Sequence, residues 1–312
     1  KFTPRIAATT KILYTIYFAM TVVQVLAFAW AGLSWFESFV FAFGAVGTGG
    51  FSIYNDSLMR YGTNSSAIYA IALGMILSGV NFSLYYDLGK RCVRQVWGNS
   101  ELRLYLAILA VSALLVSANL YGKVYTNLGE TLKHALFQVS SIMTTTGYST
   151  ANFDTWPSFS KGILFALMFV GGSAGSTAGS VKVIRLLVAG KVLKREIART
   201  IHPRVATPMT IDGRPIPPEV VQGVASFYLL YFAVFIGGTL LISLEGIDLF
   251  SAMSAVAATL GNIGPGFGAI GPTQTFALFS PASKLLFSFL MLLGRLELFS
   301  LFVVFTPGFW RE

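Results

Sequence analysis

Three short segments carry the residues whose type and spacing could do chemistry: Gly47-Thr48-Gly49-Gly50-Phe51-Ser52, Thr144-Thr145-Thr146-Gly147-Tyr148-Ser149 and Gly261-Asn262-Ile263-Gly264-Pro265-Gly266. What they offer is main-chain carbonyl oxygen. Glycine adopts positive φ without a Cβ penalty, so successive carbonyls can turn to one side and replace the hydration shell of an ion. Each segment follows an apolar stretch too short to cross a bilayer: Ser38 to Val46, Glu130 to Met143 and Leu249 to Leu260. If these stretches are half-helices, each aims its C-terminal end, with about half a negative charge, at the turn that follows. That polarity favours a cation and repels an anion. Irregular backbone at membrane depth is tolerated where it is buried in protein or lines a watery cavity, which predicts that the turns line a path.

Aligning Gly50, Gly147 and Gly264 without gaps sets Phe39 against Leu136 and Met253, and Ala42 against Val139 and Val256. The apolar positions stay in register through three copies. A single such turn reads most simply as a helix-capping glycine, since glycine is common in membrane helices. Three in matched positions point instead to a repeat of outer span, half-helix, turn and second span, with units at 1–95, 96–212 and 213–312.

A second glycine-rich run, Gly171-Gly172-Ser173-Ala174-Gly175-Ser176-Thr177-Ala178-Gly179-Ser180, interrupts a span that begins near Gly162. Each glycine costs a helix roughly 1 kcal/mol relative to Ala, so the run predicts a loop inside the membrane. It lacks a preceding strand and the Gly-Lys-Ser/Thr ending of a phosphate-binding loop. Arg295 falls mid-way along the last apolar stretch, where an unpaired charge costs several kcal/mol and faces a cavity or a partner. Glu297 lies two residues on, on a different helix face, and is a poor direct partner. We expect Arg295 to contact the 171–180 loop and raise a barrier to cations; the plainer alternative is a structural pair with a distant carboxylate. Asn81 in Ser78-Gly79-Val80-Asn81-Phe82 is expected to hydrogen-bond between helices. His134 and His202 have no metal-ligand spacing around them, the single cysteine, Cys92, allows no disulfide within the chain, and no Ser/His/Asp or paired-carboxylate constellation shares a plausible pocket, so the chain does not read as an enzyme.

The elements that must position these residues follow from composition. With 54% apolar and 11% charged residues, the 312-residue chain departs from soluble proteins and reads as an all-α integral membrane protein. Candidate spans are Ile12 to Gly32, Ser65 to Tyr86, Leu104 to Tyr121, Val220 to Leu244 and Leu285 to Phe305. The net charge of +9 does not call for nucleic acid, because 16 of the 22 Lys and Arg fall in 1–11, 88–103, 182–218 and at Arg311, segments that alternation puts on one side. The positive-inside rule makes that side cytoplasmic. The basic stretch from Lys182 to Arg214 suits anionic lipid or a cytosolic partner. The chain begins with Lys and reads as a fragment.

The residues at 49–52, 144–148, 261–264, 171–180 and Gly294-Arg295-Leu296-Glu297 resemble the Trk/Ktr/HKT superfamily of potassium and sodium transporters, in particular its TrkH/KtrB-type membrane subunits. The resemblance covers nearly the whole chain. It implies potassium uptake across the bacterial inner membrane by a multi-pass protein with four repeats around a pseudo-fourfold pore, of which the first would be missing here. It further implies that Gly50, Gly147 and Gly264 are selectivity-filter glycines, with Thr48, Gly49, Thr145, Thr146, Asn262 and Ile263 lending carbonyls to K⁺. The 171–180 loop, with Gly172, Gly175 and Gly179, would be the gate together with Arg295. A homodimer above a cytosolic nucleotide-binding regulatory subunit of TrkA/KtrA type is implied as well. K⁺ would be cargo, and no covalently bound cofactor is expected. A sodium-selective protein or an ion-coupled secondary transporter with broken helices is the alternative.

Overall fold

The computed structural model describes residues 3–201, 209–296, 298–304 and 306–310. Glu297 and His202 lie outside the described residues. In chain order the helices are α1 (Thr3–Trp30), α2 (Trp35–Val46), α3 (Ser65–Ser78), α4 (Phe82–Gly89), α5 (Val93–Gly98), α6 (Ser100–Leu120), α7 (Leu128–Met143), α8 (Ser158–Leu167) and α9 (Val183–Ile201). A two-stranded hairpin, β1 (Thr210–Ile211) and β2 (Arg214–Pro215), precedes α10 (Pro218–Ser243), α11 (Leu249–Leu260), α12 (Pro281–Leu296) and α13 (Leu298–Val304).

Among the described residues, three helices are long and apolar enough to cross a membrane, at Thr10–Trp30, Ser100–Leu120 and Pro218–Ser243. Each is followed by a short helix, α2, α7 or α11, whose start is fixed by a polar cap. Ser34 and Glu37 form a capping box, Asn127 accepts from Gly129 N–H, and Asp248 accepts from Ser251 N–H. The caps stop these helices from running back into the spans, so the chain reverses. Each long helix packs on its own short helix, and α3, α8 and α12 close the three sets. One apolar cluster binds α6 to α12; a second joins α1, α2 and α3 to Phe137 and Tyr148 of the neighbouring set.

The expected span Ser65 to Tyr86 is not continuous. α3 and α4 meet at 93°. Gly79 stands so close to Tyr105 that a Cβ there would lie 2.5 Å from its hydroxyl. The carbonyls released by the break find other donors: Tyr105 Oη on Ile76 O at 3.0 Å, Tyr85 Oη on Leu77 O at 2.6 Å and Ser173 N–H on Gly79 O at 2.9 Å. In lipid every main-chain polar group must be satisfied, and these bonds are what permit the bend. Asn81 differs from expectation too. Its side chain accepts from Ser83 N–H and caps α4 rather than bridging helices.

Within the basic stretch, the described residues form a helix, α9, and a hairpin. Val183 and Val188 are buried, Lys194 and Arg199 are exposed, and Leu193, Ile197 and Ile201 form an exposed apolar stripe at helical spacing, which makes α9 amphipathic. The hairpin turns through Asp212 and Gly213, at φ +51° and +77°. Asp-Gly suits such a turn because both central residues need positive φ.

Candidate functional site

The three glycine turns begin where α2, α7 and α11 end, and they share one backbone conformation. Positive φ falls at Thr48 (+48°) and Gly50 (+63°), at Thr145 (+58°) and Gly147 (+87°), and at Asn262 (+55°) and Gly264 (+103°). A left-handed non-glycine residue costs of order 1–3 kcal/mol, and the same cost recurs at the same place three times.

The turn amides are spent on the helix ends. Gly49 N–H donates to Gly44 O at 2.8 Å, Thr146 N–H to Ser141 O at 2.9 Å and Ile263 N–H to Ala258 O at 2.8 Å, which are equivalent positions in the alignment. The carbonyls are treated differently. Among the described residues, no main-chain oxygen of Thr48, Gly49, Gly50, Thr145, Thr146, Gly147, Asn262, Ile263 or Gly264 accepts a hydrogen bond. Buried carbonyls are ordinarily paired, and Thr48, Thr145, Thr146 and Ile263 are buried, so the free oxygens of the three turns are an acceptor surface without a protein donor.

The turns also lie side by side. A Cβ on Gly50 would overlap the Thr146 carbonyl, and a Cβ on Gly147 would overlap the Ile263 carbonyl. Each glycine therefore abuts the residue preceding the glycine of the next turn. The same step taken from Gly264 meets no atom within 4 Å. Gly49 and Phe51 of the first turn instead face Asn262 and Gly264 of the third across a cavity of about 600 Å³, further lined by Phe287 and Met291.

Behind the turns runs the 171–180 loop, and it touches all three. Thr48 Oγ1 donates to Thr177 O at 2.8 Å, and Thr177 Oγ1 donates back to Val46 O at 2.7 Å. Gly179 N–H donates to Thr145 Oγ1 at 2.7 Å, and a Cβ on Gly179 would come 2.6 Å from Gly261 O. Gly172 is pressed against Ala178 and Gly79 O, and Gly175 (φ +71°) against the Asn81 side chain. Arg295 Nη1 donates to Thr177 O at 2.9 Å. That oxygen thus takes donors from both the first turn and α12. Arg295 also borders two cavities, the one between the turns and another of about 320 Å³ lined by Ser176, Thr177 and Tyr231.

The family described as TrkH, "Cation transport protein", matches residues 1–311. The chain belongs to the TrkH family. The Trk system potassium uptake protein TrkH of Salmonella typhimurium is 37% identical over all of this chain and 64% of that protein. The corresponding protein of Escherichia coli K12 is 36% identical over the same shares. The crystal structure of the potassium transporter TrkH from Vibrio parahaemolyticus superposes with a TM-score of 0.92 at 36% identity, over 99% of this chain and 66% of that one. The chain thus spans about 64% of the length of these curated relatives. Family and apolar spans together make it a membrane protein of all-α architecture.

In this TrkH-family chain some site neighbours escaped the sequence reading. Thr177, inside the loop, carries most of its contacts to the first turn. Tyr148, after the second turn, reaches back to Phe51 O at 3.1 Å and locks two turns together. Glu101, 5% exposed, accepts Ala174 N–H of the loop at 2.6 Å. A carboxylate one residue into an apolar helix was the available signal for it. Lys133 of α7 is 1% exposed and donates to Gly62 O at 2.6 Å while pairing with Glu130 at 2.7 Å.

Proposed function

We propose that this TrkH-family chain forms most of a potassium-uptake pore in the bacterial inner membrane. K⁺ is the cargo, and the nine free carbonyls of the three turns replace its water. One observation carries the reading: equivalent turns stand in contact with eight of their nine amides bonded to helix ends and their oxygens unpaired. The C-terminal ends of α2, α7 and α11 add negative potential at the same place. Units at 1–95, 96–212 and 213–312 each contribute one turn, and a fourth turn, as the resemblance implies, would complete the ring between Gly264 and Gly49.

Within this reading the 171–180 loop is the gate. Its glycines allow tight packing beneath the turns, and Arg295 adds a positive charge on the path that raises the barrier to cations. The relatives are named as components of a Trk system. A homodimer with a cytosolic TrkA-like regulatory subunit, docking near α9 and the hairpin, is proposed by the same likeness, with anionic lipid around the basic face.

The test is uptake of K⁺, Rb⁺ and Na⁺ by cells that lack their own potassium systems and express the full-length protein. K⁺ and Rb⁺ uptake exceeding Na⁺ uptake supports the reading. Uptake no greater than in cells without the gene, at normal membrane levels of the protein, contradicts it.

A further inference from the structure

Two adjacent residues at the start of α6 join the intramembrane loop to the cytoplasmic hairpin. Glu101 accepts Ala174 N–H at 2.6 Å. The loop is therefore gripped by a carboxylate at the start of α6. Ser100, the preceding residue, gives both its N–H (3.0 Å) and its hydroxyl (2.5 Å) to Asp212 Oδ1 at the hairpin tip. Asp212 is exposed and Glu101 is buried.

A buried carboxylate is costly unless hydrogen-bonded, and here its partner is the Ala174 amide of the loop. Such charge-assisted bonds are about twice as strong as neutral ones, so the grip is firm. The hairpin tip, by contrast, is held through a surface contact that a modest displacement can break. A pull on the hairpin reaches Glu101 through one peptide bond. We infer that Glu101 is the positioning residue that latches the 171–180 loop beneath the turns, and that the 210–215 hairpin is its handle. The inference deepens the gate reading above, yet the latch is measurable without assuming any ion.

The experiment uses the full-length protein with Cys92→Ser, to remove the native thiol, and Ser176→Cys as reporter. Inside-out vesicles are labelled with a membrane-impermeant maleimide, and the rate is read. Glu101→Ala should speed labelling about tenfold or more, the scale set by losing a charge-assisted bond. Asp212→Ala should shift it in the same direction. Glu101→Gln keeps a neutral acceptor for Ala174 N–H in place of a charged one, so its rate should fall between, and it serves if Glu101→Ala does not fold. Unchanged labelling in Glu101→Ala, or in Glu101→Gln where that variant stands in, overturns the latch. Faster labelling there with none in Asp212→Ala overturns the handle. Absent potassium uptake in cells would leave either labelling result standing.

Discussion

Thr48 and Thr177 hold the first glycine turn and the loop beneath it from both directions, Thr48 Oγ1 on Thr177 O at 2.8 Å and Thr177 Oγ1 on Val46 O at 2.7 Å. Because Arg295 donates to the same Thr177 oxygen, turn, loop and α12 meet at one carbonyl. Arg295→Ala removes a donor and a positive charge together. Potassium flux through the full-length protein should rise about tenfold, equivalent to ~1.4 kcal/mol of barrier. Isotope uptake into vesicles measures it, and unchanged or lower flux at normal expression contradicts it.

Gly50→Ala and Gly264→Ala separate backbone strain from crowding. Both glycines have positive φ, which costs an alanine roughly 1 kcal/mol. Only at Gly50 does the new Cβ also strike a carbonyl, that of Thr146. Thermal unfolding of the purified chain in detergent should therefore show a larger loss for Gly50→Ala, and equal losses would deny the close contact between the turns.

Lys133→Met should destabilise the outer half of the second set. The ammonium is buried against Gly62 O, and its partner Glu130 is 46% exposed, which limits the ion pair's share. The orphaned carbonyl leaves an expected loss of about 1–3 kcal/mol. A lowered midpoint in a detergent melt checks it.

Glu245 lies in the short loop after α10, where the hydroxyls of Ser280 and Ser283 donate to its carboxylate and hold its pKa below the ordinary range. A depressed folded-state pKa contributes stability above the unfolded value, near 4.3, and that stability is lost as pH falls through the folded value. Melts of Glu245→Gln against the parent should differ at neutral pH and converge in acid. A constant difference across the range would show that the pairing is not what stabilises the loop.

Much of this architecture was legible in the residues. Apolar length located the three long helices, and glycine position located the turns; α11 has the bounds expected of it, Leu249–Leu260. The bend between α3 and α4 was not legible, because Gly79 gives way only where Tyr105 approaches from another helix. Nor did the sequence reveal Glu101 against Ala174 or Tyr148 against Phe51, pairs 73 and 97 residues apart that meet only after the sets pack. α9 was read as loop because its charges dominate the composition, while only two of its side chains, Val183 and Val188, are buried.

The claim that the three turns present their oxygens to an alkali ion is tested most directly by the anomalous scattering of Rb⁺ in crystals of the full-length protein. The expected result is a peak in contact with carbonyls from all three turns, adjoining Thr146 and Ile263. A peak held by side chains elsewhere, with none between the turns, would contradict it.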